Sequence, residues 1–138
     1  TADELDKPGI EGAKWICSPP QREAADQEAL WQALALGDLQ ILSSDHAPYR
    51  FDESGKLSAG PNPGFKQIAN GMPGLEMRLP VLFDAMVSRG ILGLKKFVER
   101  TATAPAQIYD LPGKGSLAIG MDADIAIWDA GRKVTLSN

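Results

Sequence analysis

The segment that most constrains this chain runs from Leu39 to Tyr49 and reads LQILSSDHAPY. Leu39, Ile41 and Leu42 form a short apolar run with the composition of a buried strand. Gly37-Asp38 punctuates it in front, and Pro48 blocks regular continuation behind. A second apolar run, Ala13 to Cys17, stops at Ser18-Pro19-Pro20, because proline cannot donate to a ladder. Between the two runs the spacing predicts a helix from about Ala25 to Leu36. Leu30, Trp31 and Leu34 mark its buried face, and Gly37 supplies a left-handed stop. Strand, helix, strand with short connections is a βαβ unit, which predicts a parallel pair. Asp45 and His46 then sit at the carboxyl end of the second strand, where α/β sheets and β/α barrels gather their chemistry.

From Asp45 to Pro73 the periodicity is lost in a stretch crowded with proline and glycine, the pattern of a functional lid or binding loop. A helix is predicted from about Leu79 to Arg89, with Pro80 in its first turn, Leu82, Phe83, Met86 and Val87 as the apolar stripe and Gly90 as the stop. Leu94 to Arg100 predicts a further short helix, and Pro105 opens another. Beyond Pro112-Gly113-Lys114-Gly115, the stretches Ser116–Ile119 and Asp124–Trp128 flank the turn Gly120-Met121-Asp122 and predict a two-strand β unit. Val134 to Leu136 reads as the start of one more strand. Two parallel strands do not make a stable buried sheet, and a β/α barrel takes about 250 residues, so the 138 residues read as part of something larger.

Composition limits the partners. An apolar fraction of 43% is that of a chain with a buried core. The net charge of −4, with Lys and Arg scattered, argues against a nucleic-acid or anionic-membrane surface. No apolar run approaches the ~20 residues of a membrane span. The acidic start, TADELDKPG, lacks the form of a signal peptide. One cysteine excludes an internal disulfide framework, which fits a cytoplasmic compartment.

Asp45 is the best-placed catalytic candidate, since a carboxylate at a barrel rim can bind a divalent ion and move a proton. The plainer alternative is an N-cap or a surface ion pair. His46, the only histidine, points to the opposite side of an extended chain, which favours a hydrogen-bonding role over a second ligand. A catalytic zinc needs about three protein ligands, so one His and one Cys cannot build a histidine-rich site. Cys17, inside an apolar run with no base nearby, reads as a small buried hydrophobe. Ser18 ends the first strand, where its backbone groups lose their ladder partners. Asn70-Gly71 is a turn dipeptide whose backbone can face a ligand. For both, an ordinary loop residue is the alternative. Gly113-Lys114-Gly115 lacks phosphate-loop spacing.

Four stretches taken together say more. GAKWICSPPQR, LQILSSDHAP, ANGMPGLEMRLPVLF and TATAPAQIYDLPGKGSLAIGMDADIAIWD occur in order, and nearly the whole chain resembles the C-terminal part of dihydropyrimidinases and D-hydantoinases. These form the cyclic-amidase branch of the amidohydrolase superfamily. SDHAP is shared with dihydroorotases and allantoinases, whereas NGxPGxExRL, here Asn70 to Leu79, favours the hydantoinase side. The resemblance implies an α/β fold: the C-terminal portion of a (β/α)8 TIM-type barrel over residues 1–112, and the start of a small β-sandwich domain over residues 113–138. It implies zinc, two ions in the complete enzyme, and hydrolysis of a small cyclic ureide to an N-carbamoyl amino acid. Asp45 matches the metal-binding and proton-transferring aspartate. Ser18 and Asn70 match positions whose main-chain groups hold the substrate. The other metal ligands would precede Thr1, so these residues alone are expected to be inactive and to hold no zinc. The complete protein is expected to form a homo-oligomer, a tetramer or dimer. Retention of Asp45 favours an enzyme over the non-catalytic assembly proteins built on the same scaffold. A dihydroorotase- or allantoinase-type activity is the alternative within enzymes.

Overall fold

The computed structural model describes residues 1–135 and divides into two compact units. Unit 1 comprises Thr1–Leu39 and Ser43–Leu79; unit 2 comprises Gln40–Leu42 and the chain from Pro80 onward.

In unit 1 the predicted helix is present as α1, Ala24–Leu36. Asp26 in its first turn accepts a hydrogen bond from the Glu23 N–H at 3.1 Å, satisfying a donor at the helix start. At the other end Gly37 has φ 97°, and its N–H reaches the Ala33 carbonyl at 3.0 Å. A side chain there would strain the left-handed turn, which is why the helix ends at a glycine. Only part of the predicted face is inside: Leu34 is buried and Trp31 half-buried, but Leu30 is 54% exposed. Ala13 and Ile16 join Leu34 in the core.

The strand expected over Ala13–Cys17 is absent. Gly9–Trp15 is instead a 3-10 helix that leads into extended backbone at Ile16. Gly12 permits that turn, since a Cβ there would meet the Leu5 carbonyl oxygen at 2.5 Å. The Leu39–Ser44 run is no strand either; among the described residues there are none. A strand is defined by ladder bonds to a neighbour, and Leu42 sends its N–H to the Arg100 carbonyl at 3.4 Å instead.

α2, Leu75–Phe83, begins four residues earlier than the sequence suggests, with the Arg78 N–H bonded to the Gly74 carbonyl at 2.9 Å. Pro80 therefore lies in the helix interior, not in its first turn, and leaves one carbonyl of the preceding turn without its usual donor. The helix continues as a π segment, Asp84–Ser88, whose Ala85 and Met86 are buried in unit 2. Two predicted separate helices form one run: α3, Gly93–Val98, a π segment, Glu99–Thr103, and α4, Ala104–Ile108. Thr101 hydrogen-bonds back to the Phe97 carbonyl at 2.7 Å across the π segment.

The core of unit 2 is aromatic. Phe83 stacks on Trp128 with centroids 4.7 Å apart, and Phe97 meets both rings edge-on at 5.3 and 5.4 Å. The expected two-strand β unit is not formed. Its turn is present, with the Met121 N–H on the Ala118 carbonyl at 3.1 Å, but Leu117, Ile119, Ile125 and Ile127 are exposed. Their alternating pattern has no facing layer in this unit to bury it. Lys114 closes the loop by ion pairs to Asp122 and Asp124. In the last predicted strand, Val134 has no regular secondary structure, and Leu136 lies outside the described residues. Among the described residues no helix is long and apolar enough to cross a membrane.

Candidate functional site

Three loops of unit 1 enclose a pocket of about 420 Å³. The first follows Ile16, the second carries Ser44 to Ala47, and the third is Asn70 to Pro73. Ser18, Asp45 and Asn70, far apart in the chain, all line it.

Main-chain bonds stitch these loops together. The Gly71 N–H reaches the Ile16 carbonyl and the Ala47 N–H reaches the Met72 carbonyl, both at 3.0 Å. Gly71 makes the approach possible: a Cβ there would lie 2.5 Å from the Ala47 oxygen and 2.7 Å from its Cβ. His46 adds a side-chain tie. Its Nδ1 accepts the N–H groups of Gly74 and Leu75 at 3.0 and 3.1 Å, at the N-terminus of α2. As an acceptor this nitrogen carries no proton, so the ring hydrogen sits on Nε2. His46 thus ties its loop to the start of a helix, a hydrogen-bonding role, though the ring is exposed.

Asp45 itself has φ 44°, the left-handed region that few non-glycine residues occupy. The residue is exposed, and among the described residues its carboxylate makes no hydrogen bond or ion pair. Asp45 thus combines a backbone conformation that is costly for a residue with a side chain and a place in the pocket lining. Ser18 and Asn70 are exposed as well. Cys17 is not the buried hydrophobe expected from the sequence. It is half-buried at the pocket wall, with Sγ 3.4 Å from the Pro19 carbonyl.

One residue of the pocket, and one bonded to the segments that carry it, escape sequence reasoning. Gln21 lines the pocket, and its Oε1 is buried without a hydrogen-bond partner. Lys56, from the aperiodic loop, is only 2% exposed. Its ammonium donates to the carbonyls of Ile16 at 2.8 Å and Ala69 at 3.1 Å. Burial pushes the Lys56 pKa below the ordinary lysine value. The turn that aims it inward is set by Asp52, which accepts the Ser54 N–H and hydroxyl at 2.9 and 2.6 Å. Those hydrogen bonds, the hydroxyl's first, hold the Asp52 carboxyl below its usual range, and nearby Arg50 adds to the effect.

No group of three or more His, Cys, Asp or Glu able to hold a metal ion occurs among the described residues. The donor set offers one free carboxylate, enough to contribute a ligand but not to hold a zinc ion unaided.

The sequence profile of the amidohydrolase family matches residues 3–137. The chain belongs to that family. It is 45% identical over 130 residues to a D-hydantoinase of Rhizobium radiobacter, covering 94% of this chain and 28% of that protein. A crystallised D-hydantoinase from a Bacillus species superposes with a TM-score of 0.80 at 41% identity, over 88% of this chain and 26% of that one. The dihydropyrimidinase of Brevibacillus agri gives a TM-score of 0.77 at 43% identity, over 86% and 25%. The amidohydrolase segment thus spans about a quarter of the length of these relatives. The folds it matches are those of hydantoinases, built on the amidohydrolase barrel.

Proposed function

We propose that the complete protein is a zinc-dependent cyclic amidase that opens hydantoin or dihydropyrimidine rings to N-carbamoyl amino acids, and that residues 1–138 supply one wall of its active site. The single observation that supports this reading is the convergence of Ser18, Asp45 and Asn70 on one pocket, in a chain whose relatives are named D-hydantoinases and dihydropyrimidinases.

In this reading, backbone groups at Ser18 and Asn70 hold the planar ureide edge, orienting the ring without a charged clamp. Asp45 would supply one ligand to the metal, and its carboxylate takes the proton from the attacking water and returns it to the departing ring nitrogen. The metal, when bound, supplies Lewis-acid activation of that water. Its remaining ligands would come from outside these residues. Assembly into a homodimer or homotetramer belongs to the same reading and is checked by light scattering.

The test is a substrate panel on the complete protein: hydantoin, dihydrouracil, dihydroorotate and allantoin, with the N-carbamoyl product read directly. We expect turnover of the first two. Preference for either of the last two would move the protein to the dihydroorotase or allantoinase branch, and no turnover at all would favour a non-catalytic scaffold. Asp45→Asn should lower kcat by about a hundred- to ten-thousand-fold with an unchanged melting temperature. A near-normal kcat in that variant removes Asp45 from the chemistry.

A further inference from the structure

We infer that Lys56 is a positioning residue that sets the spacing between the Ser18 and Asn70 walls of the pocket, and through it the fit of the substrate ring; this rests on the cyclic-amidase reading. An almost fully buried ammonium is costly to desolvate and persists only where hydrogen bonds compensate. Both acceptors of Lys56 are main-chain carbonyls, and no carboxylate pairs with it among the described residues. Their places in the chain give the arrangement its meaning. Ile16 lies two residues before Ser18, and Ala69 lies directly before Asn70. The Ile16 carbonyl also accepts the Gly71 N–H at 3.0 Å, so one oxygen carries two ties between these loops, beside the hydrogen bond from Gln21 Nε2 to Met72 Sδ at 2.9 Å.

If Ser18 and Asn70 grip the ring through their backbones, they have no side-chain freedom with which to absorb a change in loop spacing. A cation clamped between the two segments then acts on recognition directly. A methylene stem of the same length without donors would release both carbonyls. A guanidinium would keep the charge but hold the carbonyls at a different separation.

Lys56→Met and Lys56→Arg in the complete protein test this. KM and kcat are measured for hydantoin and dihydrouracil, whose rings differ by one atom. We expect Lys56→Met to raise KM about tenfold or more, and Lys56→Arg to recover part of the loss while shifting the preference between the two rings. Melting temperature and metal content are measured alongside, and Lys56→Arg serves should Lys56→Met fail to fold. Unchanged KM values and ring preference in a folded variant overturn the inference while leaving the cyclic-amidase reading intact. Amide hydrogen exchange needs no substrate. Faster exchange at residues 69–73, with α3 and α4 unaffected, supports the clamp, and unaltered exchange there overturns it even if the protein hydrolyses neither ring.

Discussion

Asp45 and Gly71 occupy adjoining walls of one pocket and meet opposite demands on the backbone. Asp45 accepts a left-handed φ of 44° that a side chain disfavours. Gly71 dispenses with its side chain so that the third loop can close on Ala47. The atoms a new Cβ would strike are a main-chain oxygen and another Cβ, neither of which can swing away. Gly71→Ala should therefore destabilise by about 1–3 kcal/mol, the usual cost of overpacking. Gly131→Ala, where the nearest neighbour is a carboxylate oxygen at 3.4 Å, should stay within about 0.5 kcal/mol. Melting curves of the two variants check the contrast, and equal shifts would refute it. At this scale the motif residues were legible because turn dipeptides and a carboxylate after an apolar run carry a local signal. Lys56 was not. A lysine in an aperiodic loop looks solvated, and its burial depends on carbonyls supplied by segments distant in the chain.

Helices were legible from spacing and strands were not, and the difference is physical. α1 satisfies its own backbone, so its extent follows from local residues, from Asp26 at one end to Gly37 at the other. The run at Leu39 to Ser44 needs a neighbouring backbone to become a strand, which its own residues cannot specify. Spacing also overstates burial. The α1 pattern nominates Leu30 and Leu34 alike, but only Leu34, 3% exposed, enters the core. Leu34→Ala should cost about 2–5 kcal/mol, whereas Leu30→Ala should change stability by no more than about 0.5 kcal/mol. Thermal or urea unfolding separates them, and a comparable loss at Leu30 would show that its exposed face is covered in the complete protein. The joining of α3 to α4 was hidden for a related reason. Pro105 reads as a helix start, but helical backbone precedes it, so it lies inside one run, directly after the π segment Glu99–Thr103, and its missing N–H leaves a carbonyl of the preceding turn without its usual donor.

Chemistry and fold come apart at the scale of the whole chain. Residues 1–135 hold a pocket with an unengaged carboxylate, yet among them no three metal-ligating side chains gather. A zinc ion held by one carboxylate would keep most of its coordination sphere as water, which gives neither affinity nor a fixed geometry for attack. Expressed by themselves, the 138 residues should therefore bind no stoichiometric zinc and open neither hydantoin nor dihydrouracil. Elemental analysis after dialysis, with a product assay on the same sample, decides the matter. Adding the rest of the polypeptide should restore both metal and turnover together, because the ligand set and the proton-transferring carboxylate would then share one site. Metal bound in the isolated segment at one or two ions per chain, and lost in Asp45→Asn, would mean that these residues build a centre of their own, and the division of labour proposed here would fail.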